Sequence, residues 1–246
     1  MWSVWSERVD VYLGTGLVLV QRPGIPLWRF DPPATLPLVD VLRQVNQALE
    51  RAKAKPWRLR VCLSASLCPP VAFALPAGVQ RYAEVLAIAK ANAVQVWDMP
   101  PEQATELECR LDARHQGLAA AMLSGTYGVI ARWATEHKGR MTNLQPLWAV
   151  ATGAKVCAKR HETGVAVLEP DALTVLKLDA TGALQAKSWL GAHGQAETMS
   201  RLADMTDQAN QAQQKRDVVM VFNQEPTQTA WEQGPPVWTK HWSVLP

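Results

Sequence analysis

Side chains able to do chemistry are scattered through this sequence rather than grouped. His115, His137, His161, His193 and His241 lie far apart, and none forms H-E-x-x-H or a helical pair. A metal site would need ligands converging from distant segments. Cys62, Cys68, Cys109 and Cys157 are widely spaced, with no C-x-x-C pair, which predicts reduced thiols in a cytosolic chain. Cys157 sits among Lys155, Lys159, Arg160 and His161. Positive neighbours lower a thiol pKa, so Cys157 or His161 could serve a thiol enzyme. With no orienting partner identifiable, Cys157 reads better as a small apolar residue in an edge strand. Arg51-Ala-Lys-Ala-Lys-Pro-Trp-Arg-Leu-Arg60 holds five cations and a tryptophan, a set that could grip phosphates and stack a base. The rest of the chain is not basic, which favours a helix end followed by a strand and argues against nucleic acid. Gly14-Thr15-Gly16 is a lone glycine pair. The chain has no P-loop, no G-x-S-x-G and no complete G-x-G-x-x-G.

The elements that must carry these residues read as mixed α/β. Val9 to Gln21 holds two β-rich arms around Gly14-Thr15-Gly16, a hairpin with a glycine turn. Gly24 to Pro37 is proline-rich and reads as a connection. Leu38 to Ala52 carries Leu38, Val41, Leu42, Val45 and Leu49 at helical spacing. Strands are expected over Trp57 to Ser64 and Val71 to Leu75. A helix is expected over Gly78 to Asn92, with Tyr82, Val85, Leu86 and Ala89 on one face. Thr105 to Asp112 alternates polar and apolar as a half-buried strand, with Leu118 to Leu123 as its antiparallel neighbour. Ser124 to Thr126 turns, and Tyr127 to Lys138 is helical with Ile130, Trp133 and Ala134 inward. Asn143 to Val150 opens the second half. Val165 to Leu168 and Leu173 to Leu178 form a hairpin around Glu169-Pro-Asp171. Asp179 to Gly182 turns. Ala196 to Gln214 is a polar helix, Asp217 to Phe222 a strand, and the tail from Glu225 is irregular.

Composition sets the outer bounds. With 246 residues, 48% of them hydrophobic and 19% charged, the chain can bury a core and is not disordered. A net charge of +3 implies neither nucleic acid nor a membrane surface. The longest uncharged run, Val61 to Gln80, contains Pro69, Pro70 and Pro76, which would break a spanning helix. No targeting segment is expected at the N-terminus. Of 11 tryptophans, Trp2, Trp5, Trp28, Trp231, Trp238 and Trp242 lie near the termini or in proline-rich segments, where such rings anchor tails to a core.

The succession of elements resembles the actin-like proteins of type IV pilus assembly (PilM and MshI) and the cytoplasmic part of the type II secretion protein GspL. Tyr12-Leu-Gly-Thr-Gly-Leu-Val-Leu19 matches the family's first strand, glycine loop and second strand. Leu118 to Ser124, the helix to Lys138, Gly139 and Asn143 to Trp148 match a later strand, helix and loop. Trp97 to Pro101 and the Thr105 strand match its small inserted subdomain. The resemblance implies a two-lobed, actin-like (ribonuclease H-like) α/β fold of mixed sheets with flanking helices, the second lobe truncated. It implies a first lobe over 1–142 with an insert near 95–125, then a second lobe and proline-rich tail over 143–246.

The departures bear on function. The family's loop aspartate falls on Tyr12 and its loop lysine on Leu19. The second phosphate loop reads Glu169-Pro-Asp-Ala172, with Pro170 and no glycine to bring backbone N–H groups to phosphate. The late Gly-Gly is replaced by Asn-Gln-Glu-Pro226. The resemblance therefore implies a non-catalytic scaffold without cofactor or metal, Gly14, Thr15 and Gly16 being a loop remnant. It implies a cytoplasmic protein at the bacterial inner membrane, with a groove on the first lobe for a short cytosolic segment of an inner-membrane assembly protein. The alternative is a Mg-ATP-binding ATPase with divergent loops, in which Asp10 replaces the missing aspartate.

Overall fold

The computed structural model describes residues 7–21, 28–33, 35–51, 57–112, 117–137, 141–153, 162–178, 184–191, 197, 200–201, 216–221 and 241–243. The first of its sheets grows from an alternating strand, β1 (Glu7–Leu13). Val9, Val11 and Leu13 point to one face, and Asp10 and Tyr12 to the other, as the two-residue period requires. β1 forms an antiparallel hairpin with β2 (Val18–Gln21), which pairs with β3 (Trp28–Phe30). On its other side β1 runs parallel to β4 (Trp57–Leu63), which runs parallel to β8 (Met141–Pro146). The order is β3-β2-β1-β4-β8. Two helices, α1 (Leu38–Arg51) and α4 (Ser124–Glu136), cover one face. Val41, Val45, Leu49, Ile130 and Trp133 are buried there against Val9, Val11 and Leu13. On the opposite face lies α5 (Leu147–Gly153), whose Leu147 and Val150 pack with Tyr12, Leu17, Leu19 and Cys62.

A small antiparallel sheet is inserted between β4 and α4. Its strands β5 (Pro70–Ala72), β6 (Leu107–Leu111) and β7 (Leu118–Leu123) are ordered β5-β7-β6. It packs on α2 (Tyr82–Val96), and the short α3 (Pro101–Ala104) precedes β6. The second five-stranded sheet has the order β11-β10-β9-β12-β13. Here β9 (Glu162–Leu168) and β10 (Ala172–Leu178) form a hairpin, extended by β11 (Leu184–Leu190). β12 (Arg216–Val221) runs parallel to β9, and β13 (His241–Ser243) antiparallel to β12. Trp148 and Ala151 of α5 meet Val165, Val167 and Leu176 of this sheet. Helix α5 is thus sandwiched between the two large sheets, and its Trp148 Nε1 donates to the Cys68 carbonyl at 2.8 Å.

Mixed sheets with flanking helices are the architecture expected of the sequence, with several local corrections. The Gly24–Pro37 connection contains the edge strand β3, and the irregular tail returns as β13. The helix expected over Gly78–Asn92 runs over Tyr82–Val96. Val85, Leu86 and Ala89 face the core as expected, joined by Ala93, whereas Tyr82 at the first turn is exposed. Ser124–Thr126 is the first turn of α4, not a separate turn. The small sheet reaches back to β5, before residue 95. Residues 142 and 143 both lie within β8, a strand of the first sheet. The Asp179–Gly182 turn, and the Ala196–Gln214 helix apart from residues 197, 200 and 201, lie outside the described residues.

Candidate functional site

The two large sheets meet at their turns. The β1–β2 turn carries Gly14, Thr15 and Gly16, closed by the Gly14 amide donating to the Leu17 carbonyl at 3.0 Å. The segment leaving β4 brings Ser64, Ala65 and Ser66 beside it, with the Ser64 amide donating to the Leu13 carbonyl at 2.8 Å. The β9–β10 turn faces both and presents Glu169 and Asp171. Proline at 170 leaves the approach to these two side chains.

Asp171 lies inside the glycine loop. Its Oδ2 accepts from the amides of Thr15 (2.7 Å) and Gly16 (3.2 Å) and from the hydroxyls of Ser66 (2.7 Å) and Thr15 (3.2 Å). Its Oδ1 accepts from Ser64 Oγ at 2.6 Å, and Tyr12 Oη lies 3.0 Å away. Successive backbone N–H groups ringed by hydroxyls form a concavity shaped for an anion, and here the anion is covalently part of the chain. Glycine at 14 is a steric requirement of this arrangement. An added Cβ would run into Asp171 Oδ2 and lie 3.2 Å from the Leu17 carbonyl oxygen.

Glu169 is the second acid, 2% exposed, with its Oε1 accepting from the Ala65 amide at 3.2 Å. Burial, then the adjacent Asp171 charge, pushes its pKa up to about 8. It is therefore protonated at neutral pH. Tyr12 Oη lies 3.0 Å from both Glu169 Oε2 and Asp171 Oδ1. A phenol has one proton to donate. Tyr12 Oη is thus placed to donate to either acid and links the two. Burial, reinforced by the two acids, holds the Tyr12 pKa well above its ordinary value, so the phenol stays protonated.

The other sequence candidates lie elsewhere. Leu19 is fully buried in the core beneath the loop. Asp10, the alternative carboxylate for a nucleotide, is engaged by Arg60 at 2.5 Å and Arg8 at 3.1 Å. Burial raises its pKa, and the two guanidiniums oppose that rise. Pairing with Asp10 also takes Arg60 out of the cationic stretch read near Trp57. Cys62, Cys68 and Cys109 are buried free thiols, with pKa values pushed up by burial to about 12, 12 and 11. His137 Nδ1 sits 3.0 Å from the Trp133 carbonyl oxygen. Cys157, His115, His161 and His193 lie outside the described residues, as does the side chain of His241. Among the described residues, no three His, Cys, Asp or Glu side chains cluster as metal ligands.

Sequence reasoning located the glycine loop and the acidic turn separately but missed Ser64 and Ser66, which resemble any polar loop residues. The usable signal lay in the departures at Tyr12, near the end of β1, and in the glycine-free Glu169-Pro170-Asp171 turn that faces it. In an actin-like fold these turns would hold nucleotide phosphates, and the residues present do not fit one. The loop donors are engaged by Asp171, and Glu169 stands behind it.

No family model and no curated protein matches the sequence. Solved structures do. A Bacteroides thetaiotaomicron protein with an actin-like ATPase fold and unknown function aligns at a TM-score of 0.55 and 9% identity, over 91% of this chain and 85% of that one. The PilM–PilN type IV pilus biogenesis complex aligns at 0.50 and 11% identity, over 84% and 68%. The cytoplasmic domain of EpsL, an inner-membrane component of the Vibrio cholerae type II secretion system, aligns at 0.49 and 14% identity, over 90% and 84%. At such identities likeness speaks for architecture alone, and the Bacteroides structure gives this chain the actin-like ATPase fold.

Proposed function

We propose that this chain is a non-catalytic scaffold of actin-like fold, docking a short cytosolic segment of an inner-membrane partner in a pilus or secretion assembly. The observation carrying this reading is the carboxylate in the glycine loop. Phosphoryl transfer depends on donors and cations aimed at the transferring group. Here the loop donors serve Asp171, and the aspartate and lysine positions hold Tyr12 and Leu19. The likeness to PilM in a PilM–PilN complex supports the class of partner. A cleft of about 480 Å³ between the small sheet and the first sheet offers a place for a peptide. Its walls include Leu63, Met122, Ile130 and Leu144, with Arg110 and Asp112 also lining it. Apolar pockets with a few polar groups suit extended peptides. Among the described residues no helix is long and apolar enough to cross a membrane.

The reading is tested by thermal unfolding with and without millimolar Mg-ATP. A ligand held at a hundred times its Kd would raise the Tm of a chain this size by about 5–10 °C. The expected result is no shift, together with saturable binding of cytosolic peptides from single-pass pilus or secretion proteins. A clear shift with Mg-ATP, accompanied by hydrolysis, would overturn the scaffold reading.

A further inference from the structure

The carboxylate in the loop also has a structural consequence. Asp171 sits on the turn between β9 and β10, in the second sheet. All its side-chain partners come from the first sheet or the segment leaving it: Tyr12, Thr15, Gly16, Ser64 and Ser66. Its own carbonyl accepts from the Gly191 amide at 2.8 Å, which fixes the turn to the end of β11. The carboxylate itself is nearly sealed, with Asp171 7% exposed, Tyr12 1% and Ser64 0%. The donors divide between two oxygens, with Ser64 and Tyr12 at Oδ1 and the glycine loop and Ser66 at Oδ2. Such a division fits a planar carboxylate.

We infer that Asp171 is an intramolecular ligand, a tethered carboxylate that fills a preformed oxyanion cradle and ties the two large sheets together, and that Asp171→Gly opens the cradle to a free small carboxylate. The inference deepens the scaffold reading, because it supplies what holds the facing turns together without nucleotide. The cradle is preformed because its donors are fixed by their own framework. Gly14 closes the loop onto Leu17, the Ser64 amide is bonded to Leu13, and the Ser66 amide donates to Ser64 Oγ at 3.1 Å. Removing the Asp171 side chain leaves these donors converging on a space the size of acetate, with the Thr15 and Gly16 amides and the Ser64 and Ser66 hydroxyls deprived of this acceptor.

The test is chemical rescue read by thermal unfolding. Asp171→Gly should lower the Tm by roughly 5–10 °C. Acetate or formate at tens of millimolar should restore much of that loss saturably, against chloride at equal ionic strength. Wild type serves as the baseline for general salt effects and should not respond. Adding Gly14→Ala to Asp171→Gly should abolish the rescue, because the new Cβ enters the vacated space. Asp171→Asn keeps the shape and can keep its oxygen on the loop, but its amide nitrogen then faces the Ser64 and Tyr12 hydroxyls, which lose their acceptor, and the negative charge is gone, so it should lose stability without rescue. A folded Asp171→Gly that gains no more than wild type from acetate would overturn the inference, as would rescue by inorganic phosphate but not acetate. Should Asp171→Gly fail to fold, an Asp171→Asn as stable as wild type would overturn it equally. None of these outcomes depends on wild-type Mg-ATP binding, so this inference and the scaffold reading can fail separately.

Discussion

At the scale of residues, the site is a short hydrogen-bonded chain in which Tyr12 links Glu169 and Asp171. Its pH behaviour follows from the acid at its head. Folded Glu169 gains its proton at about 8, against an ordinary value of 4.5. Between these values the folded chain binds more protons than the unfolded one. Stability therefore falls as pH rises through this window, by at most about 1.4 kcal/mol per pH unit, and levels off above it. Glu169→Gln imitates the protonated acid: its amide nitrogen donates to Tyr12, and its oxygen accepts from Ala65. The variant should lose the Glu169 contribution to the slope and gain on wild type as pH rises toward 8. Urea unfolding across this window would check it, and parallel pH profiles for the two proteins would refute it.

Elements were legible wherever one period dominated. The stripe of α1 placed Val41, Leu42, Val45 and Leu49, all buried. The alternation of β6 placed Leu107 and Cys109 inward and Glu108 and Arg110 outward. The edge strand β3 was hidden among prolines. β11 alternates apolar and polar only over Leu184–Lys187 before Ser188, Trp189 and Leu190 break the pattern, too short a run to mark a strand. Helix α5 was hidden for the opposite reason. Leu147, Trp148, Val150 and Ala151 are buried against two sheets, and an element apolar all round shows no period. The acid–loop contacts were out of reach because their partners lie 104 to 159 positions apart in sequence. Packing between elements makes its own prediction. Trp133 of α4, 3% exposed, donates from Nε1 to Asn46 Oδ1 of α1 at 2.7 Å. Trp133→Phe keeps most of the ring volume and should cost about 1–2 kcal/mol, with the Asn46 acceptor left without its donor. Trp133→Ala should cost about 3–5 kcal/mol through the cavity it leaves. Denaturant midpoints would rank the two, and equal losses would place the energy in the hydrogen bond rather than in the ring.

For the whole molecule, the question is what keeps two sheets closed on one another. Helix α5 contributes apolar burial on both sides, and Asp171 contributes the polar tie at the turns. Two buried thiols, one at the junction and one away from it, report on this closure. Cys62 lies with Tyr12 and Leu147 on the face of the first sheet covered by α5. Cys109 lies in the small sheet against Ala93 of α2, away from that junction. Both thiols are nearly inaccessible, and burial holds their pKa values near 12 and 11, so alkylation at neutral pH must await an opening of the structure. In wild type, Cys62 and Cys109 should therefore label slowly with iodoacetamide. Removing the tie in Asp171→Gly should expose the junction selectively, speeding Cys62 while leaving Cys109 near its wild-type rate. Acetate should slow Cys62 again. Site-resolved mass spectrometry would follow each thiol. Equal acceleration at both would mean that Asp171 contributes only to global stability, whereas an unchanged Cys62 would assign closure of the sheets to α5 alone.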